Sequence, residues 1–295
     1  MSFFPARADS ALVRTQMMEQ AKKRTFLVHR RGGLVVWSGR SRIGKTSTAE
    51  WLESEINDRY DPENGDAFRA HYYEVGELGR RAAGHTKQAI RALHHAPLGR
   101  LDEGVYRSSP PEDLAQLVIH GLRRRAIEMI FIDEAGLYSI EAIRGLVLVV
   151  DWARRLGHRL TLVLIGMDDI ERTIGSNPQV NNRVADWVCF EPPKREEIFE
   201  LIQRASAIFA NRTLDDPPTV ELVEWLEGTY SSLPGLILPF LDKADALIGT
   251  REPTVRFFNA IQSLADKDRN SIRAIVKGAN VRNRRGRNGE AEVTQ

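Results

Sequence analysis

The sequence predicts an α/β fold, a mostly parallel sheet between two layers of helices, followed by an all-helical module. Three observations predict it. Short apolar runs alternate with helical segments as far as residue 193, as in a doubly covered sheet. A glycine-containing segment, Gly39-Arg-Ser-Arg-Ile-Gly-Lys-Thr46, joins the first apolar run to the helix after it. After Glu191-Pro-Pro193 the strand signals stop and amphipathic segments continue alone.

The elements follow in order. Residues 12–28 read as a helix, with Leu12, Met17, Met18, Ala21 and Phe26 as its apolar positions. Gly33-Leu-Val-Val-Trp-Ser38 is a short apolar run bounded by glycines, hence a buried strand. A helix from Gly44 to about Arg59 ends in the turn chemistry of Asp61-Pro-Glu-Asn-Gly-Asp66. Phe68–Val75 is the second strand and Thr86–His95 the next helix. Residues 97–111, with Gly99, Gly104 and three prolines, read as a loop. A helix over 112–125 precedes the apolar strand Met129–Ile132. Residues 140–156 read as helical, Leu160–Ile165 as a strand, and Trp187–Phe190 as a shorter strand after a further helix. Beyond Pro193, residues 195–210, 217–228 and 235–248 form three amphipathic helices, with two shorter ones expected at 254–265 and 268–277. From Gly278 apolar residues are few, and Arg282, Arg284, Arg285 and Arg287 make the tail basic; disorder is expected there. The implied division is an N-terminal helical extension (1–30), an α/β core (31–193), a helical module (194–250), short C-terminal helices (251–277) and the tail (278–295).

With 295 residues, 42% hydrophobic and 28% charged, the chain has material for a proper core and a polar surface. No apolar run approaches the roughly 18 residues that span a bilayer, and the start MSFFPARADS lacks the order of a signal peptide, so the cytoplasm is expected. The only cysteine, Cys189, permits no intrachain disulfide and no cysteine-built zinc cluster. His94-His95 is the one histidine pair, without metal-ligand spacing around it. A net charge of +2 does not announce a nucleic-acid binder; arrangement matters more than the sum.

Gly39–Thr46 fits G-x-x-x-x-G-K-[ST] between a strand and a helix, the context of a phosphate-binding loop. Its glycines let consecutive backbone N–H groups turn onto phosphates, and the helix N-terminus adds positive partial charge. Gly39, Arg40, Ser41, Arg42, Ile43, Gly44, Lys45, Thr46 and Ser47 are therefore the candidate ATP contacts. Lys45 supplies a point charge to the β- and γ-phosphates, and Thr46 a hydroxyl for Mg²⁺. Met129-Ile-Phe-Ile-Asp133-Glu134 supplies a carboxylate, Asp133, on a neighbouring strand as the second magnesium-side group. Glu134 can polarise an attacking water, which favours an ATPase over a small-molecule kinase. No N-K-x-D guanine motif is present.

These motifs, with Leu162-Val-Leu-Ile-Gly166 and Asn177-Pro-Gln-Val-Asn-Asn-Arg183, resemble the TniB/TnsC group of AAA+ regulators of DNA transposition, related more distantly to MuB. The resemblance covers roughly residues 10–250. It implies an AAA+ P-loop core with strand order 5-1-4-3-2, a C-terminal helical lid over 195–250, and a ring or filament of identical subunits. It also implies duplex DNA as a track and a transposase or similar protein as partner. Arg183 matches the group's arginine finger, which reaches the ATP of the adjacent subunit; alternatively it caps a helix C-terminus. Two positions depart from the pattern. Met167 replaces a polar sensor residue, with Asp168 next to it as a candidate substitute, and Leu236 follows Pro234-Gly235 where the group has arginine. Both changes imply slow hydrolysis.

The region matching the group's DNA-facing loops is 97–111, with Arg100 and Arg107 as basic candidates; the alternative for both is an ordinary solvated loop residue. Arg123-Arg124-Arg125 ends a helix, where arginine meets the negative terminus, and that structural role is the better account of it. Tryptophans 37, 51, 152, 187 and 225 read as core. Two other functions stay open: a nucleotide-gated scaffold of a defence or signalling system without DNA contact, and a P-loop phosphotransferase, which Asp133-Glu134 and Arg183 disfavour.

Overall fold

A computed structural model of the chain describes residues 14–63, 67–75, 85–248 and 252–263. Two compact units divide it, Arg14–Pro193 and the residues from Lys194 onward. The expected helix over 268–277 and the basic tail lie outside the described residues.

The first unit is built on five parallel strands: β1 (Gly33–Gly39), β2 (Arg69–Glu74), β3 (Ile127–Asp133), β4 (Thr161–Ile165) and β5 (Val184–Phe190). Their order is β2-β3-β4-β1-β5, the expected 5-1-4-3-2. β1, an interior strand between β4 and β5, is buried along its whole length, which is why it reads as an unbroken apolar run. On one face Trp37 packs against Phe131 and Phe190, with ring centroids 5.6 and 5.3 Å away. The helices α1 (Gln16–His29) and α2 (Lys45–Asp58) cover that face; Trp37 Nε1 donates to Thr25 Oγ1 of α1 at 3.2 Å. On the other face Leu34, Val36, Ile130, Ile132, Leu162 and Leu164 share a core with the long helices of the opposite layer. These are α3 (Thr86–Leu98), α5 (Pro111–Arg124) and α6 (Ile140–Arg155); the short α4 (Glu103–Ser108) precedes α5, and α7 (Asp169–Gly175) and α8 (Pro178–Asn181) precede β5.

Three expectations change. The segment 97–111 is not all loop: α3 runs on to Leu98, and α4 is capped by Asp102, whose side chain accepts from Val105 N at 3.0 Å. The strand read from Trp187 begins at Val184, since the exposed Ala185 hid its start. Asp133 is not on the strand beside β1, because β4 lies between β1 and β3.

The second unit contains α9 (Arg195–Ala205), α10 (Pro217–Tyr230), α11 (Pro234–Ile248) and a helical segment over 255–263. Its own core joins Ile198, Ile202, Phe209, Leu226, Leu241 and Phe258, with Phe240 edge-on to Phe258 at 5.2 Å.

Candidate nucleotide site

The site forms where β1 gives way to α2. Gly39 has φ +139°, and a Cβ there would lie 2.7 Å from the Phe190 carbonyl oxygen, so only glycine fits the start of the loop. Gly44 closes it with φ +109° immediately before α2. Ile43 is buried and anchors the loop from below, while Arg40, Ser41, Arg42, Thr46 and Ser47 face solvent. The Lys45 ammonium donates to the carbonyls of Gly39 and Arg40 at 2.7 and 2.8 Å, so it lies across the loop. Burial lowers the Lys45 pKa, while the nearby Asp133, Asp168 and Cys189 act in the opposite direction.

Asp133 reaches the loop across the end of β4. Its Oδ2 accepts from Thr46 Oγ1 at 2.6 Å and from the Tyr72 hydroxyl at 3.0 Å, and its Oδ1 accepts from the Glu134 N–H at 2.8 Å. Tyr72 was not singled out from the sequence. Its link to Asp133 exists only because β2 pairs with β3, placing Glu74 opposite Asp133 and Tyr72 opposite Phe131. Burial, and then the Asp133 charge, push the Tyr72 pKa well up, so its hydroxyl stays protonated and donates. The Glu50 carboxyl is raised too, by burial and by Asp133. Glu134 is exposed and left-handed, with φ +54°, a costly conformation for a side chain that is not glycine.

Oxygen donors fit a hard divalent cation. A magnesium ion typically takes one or two protein oxygens plus phosphates and water, and Thr46 and Asp133 converge on one point. Among the described residues no cluster of three or more histidine, cysteine or acidic side chains could hold a metal on its own.

The remaining candidates lie elsewhere. Met167, at the end of β4, is 52% exposed, and Asp168 beside it is near enough to act on the Lys45 charge. Leu236 lies on α11. Arg183 follows α8 and pairs with Asp151 of α6 at 3.0 Å. Together with Arg144, Val147, Leu148 and Gln179 they line a groove of about 380 Å³. Arg107 sits on α4 in an ion pair with Glu103, which Arg91 also holds at 2.7 Å. Arg100 is exposed. Trp37 is fully buried, and the other four tryptophans are half-buried.

A parallel sheet in this order, with a phosphate loop after β1 and an acidic pair at the end of β3, defines the P-loop AAA+ fold. Residues 28–174 match the family model described as AAA domain. Among solved structures the chain is similar to Cdc6p of Pyrobaculum aerophilum, at 16% identity and TM-score 0.59 over 86% of this chain and 66% of that one. It is also similar to the Orc2 protein of Aeropyrum pernix, at 16% and 0.57 over 83% and 67%. The Orc1 protein of the same organism, in complex with DNA, gives 16% and 0.56 over 86% and 65%. At these identities the likeness is one of fold, and the chain spans about two thirds of their length. No curated protein matches it in sequence.

Proposed function

We propose that the chain is an ATP-dependent, self-assembling regulator that binds duplex DNA without sequence specificity and recruits a transposase-like partner, as the resemblance to the TniB/TnsC group implies. The observation that carries the nucleotide part is the meeting of Lys45, Thr46 and Asp133 beyond the C-terminal ends of β1 and β3. Phosphates entering the loop draw the Lys45 ammonium away from the Gly39 and Arg40 carbonyls and take the N–H groups at the start of α2. Thr46 and Asp133 hold magnesium, which when bound supplies charge to the phosphate oxygens. Glu134 orients the attacking water and accepts its proton, and Arg183 of the neighbouring subunit stabilises the charge that develops. The DNA part is supported by the resemblance and by the nucleic acid held by the Orc1 neighbour. Arg100 and Arg107 remain its candidates from the sequence, although Arg107 shares its charge with Glu103.

Electron microscopy and sedimentation with a non-hydrolysable ATP analogue, with and without duplex DNA, test this reading. The expected result is a ring or filament that needs nucleotide and is promoted by DNA, and that a folded Lys45→Ala variant does not form. ATP-driven oligomers that ignore DNA even at low salt would favour the scaffold reading. Unaltered nucleotide affinity in Lys45→Ala would remove the site assignment itself.

A further inference from the structure

The N-terminal end of the interior strands, opposite the phosphate loop, carries a concentration of arginine that helix capping does not account for. Three turns meet there: α1 into β1 with Arg30 and Arg31, α5 into β3 with Arg123 and Arg124, and α6 into β4 with Arg154 and Arg155. They are neighbours because β3, β4 and β1 are consecutive in the sheet. Gly33 N donates to Leu160 O at 2.9 Å, and His158 Nε2 lies 3.0 Å from Ile127 O, tying the three turns side by side. With strands about 4.8 Å apart, the turns fall within roughly 10 Å. All six guanidiniums are exposed, and among the described residues no carboxylate lies within ion-pair distance of any of them.

Magnitudes decide between capping and binding. Each helix C-terminus supplies about half a negative charge, so three supply roughly one and a half against six arginines. Glu128, the acid within these turns, is already held by His29 at 3.3 Å and Arg159 at 3.2 Å. Asp151, one turn back on α6, is paired with Arg183. A surplus of roughly four and a half positive charges stays on a narrow ridge.

We infer that this ridge is the phosphate-contacting surface for duplex DNA, in place of the Arg100 and Arg107 region. The inference rests on the DNA reading above and specifies where that contact is made. Arginine suits phosphate through its planar fork of donors, and a ridge of turns without recognition elements reads backbone charge and not base sequence.

The test is fluorescence anisotropy with two unrelated duplexes at several salt concentrations, in a non-hydrolysable ATP analogue, with oligomeric state followed by sedimentation. The variants are Arg30→Gln with Arg31→Gln, Arg123→Gln with Arg124→Gln, and Arg154→Gln with Arg155→Gln. Each pair should weaken both duplexes equally and reduce the slope of log affinity against log salt by up to about 1.8, for two lost contacts. The matching Arg→Lys pairs keep the charge and should restore most of the binding, which separates a lost contact from a lost fold. Unchanged slopes in all three Gln pairs, or a loss confined to Arg100→Gln with Arg107→Gln, would overturn the ridge while leaving the DNA reading intact. If the wild-type protein binds neither duplex at low salt, the DNA reading falls and the ridge with it. Binding to anionic lipid vesicles without binding to duplex would also overturn the inference.

Discussion

The Asp133 carboxylate accepts from two hydroxyls that respond differently to a cation. On the proposed reading Thr46 would turn to a bound magnesium, whereas Tyr72, fixed on β2, would keep its bond to Oδ2 and aim the carboxylate. Tyr72→Phe removes that bond and little else. The expected outcome is unchanged affinity for nucleotide in the presence of a chelator, with about a tenfold increase in the magnesium needed for half-maximal tightening. A fluorescent ATP analogue titrated with magnesium measures this, and an unaltered midpoint would refute the role. The residues of the phosphate loop and the Asp133-Glu134 pair were legible in the sequence because each motif is contiguous and its spacing is set by phosphate geometry. Tyr72 was not, since its partner is 61 residues away and only strand pairing brings them together. The left-handed Glu134 was equally invisible, because nothing in the residue type asks for it.

Helices α3 and α6 meet at Gly145, where an added Cβ would lie 2.7 Å from the Thr86 carbonyl oxygen and 3.0 Å from its Cα. Both atoms are backbone and cannot move aside alone. Glycine to alanine inside a helix ordinarily stabilises by about 1 kcal/mol. Here the clash should reverse the sign, to a destabilisation of about 1–3 kcal/mol. Gly228 in α10 meets nothing within 4 Å, so Gly228→Ala should show the ordinary gain. Thermal unfolding of both variants checks the pair, and a stabilised Gly145→Ala would show that the two helices are free to separate. At this scale the strands were the most legible elements, because burial on both faces forces continuous apolar runs such as Met129–Ile132. The edge strand β5 was read short because its outer positions are polar or exposed. Helix α4 was missed because two glycines and three prolines around it signal a loop. Its stability comes from the Asp102 cap and from Arg91, which pairs with Glu103 and stacks on Tyr106 at 4.5 Å.

At the scale of the whole molecule, the role proposed for Arg183 makes one copy complete the site of the next. Arg183 is 52% exposed, and its bond to Asp151 is a surface ion pair of the kind worth about 1 kcal/mol or less. Such a pair holds the guanidinium in the groove beside Arg144 and is weak enough to be exchanged, as the role proposed for Arg183 at a phosphate of the next subunit requires. The expected outcome is that hydrolysis per subunit rises with protein concentration in the wild type and stays flat and low in Arg183→Ala, while nucleotide affinity is unchanged. Steady-state turnover over a hundredfold concentration range measures it; fast turnover independent of concentration would exclude a group acting between subunits. The strand order was foreseeable once the motifs pointed to a family, but the ridge was not, because its arginines are scattered over three turns far apart in the chain. One further feature reaches beyond assembly. Cys189, the sole thiol of the chain, is exposed on β5, in register with Ser38 and so one strand from the start of the phosphate loop. A single maleimide dye therefore attaches at one known place without engineering, one strand from the loop whose occupancy it would be used to follow.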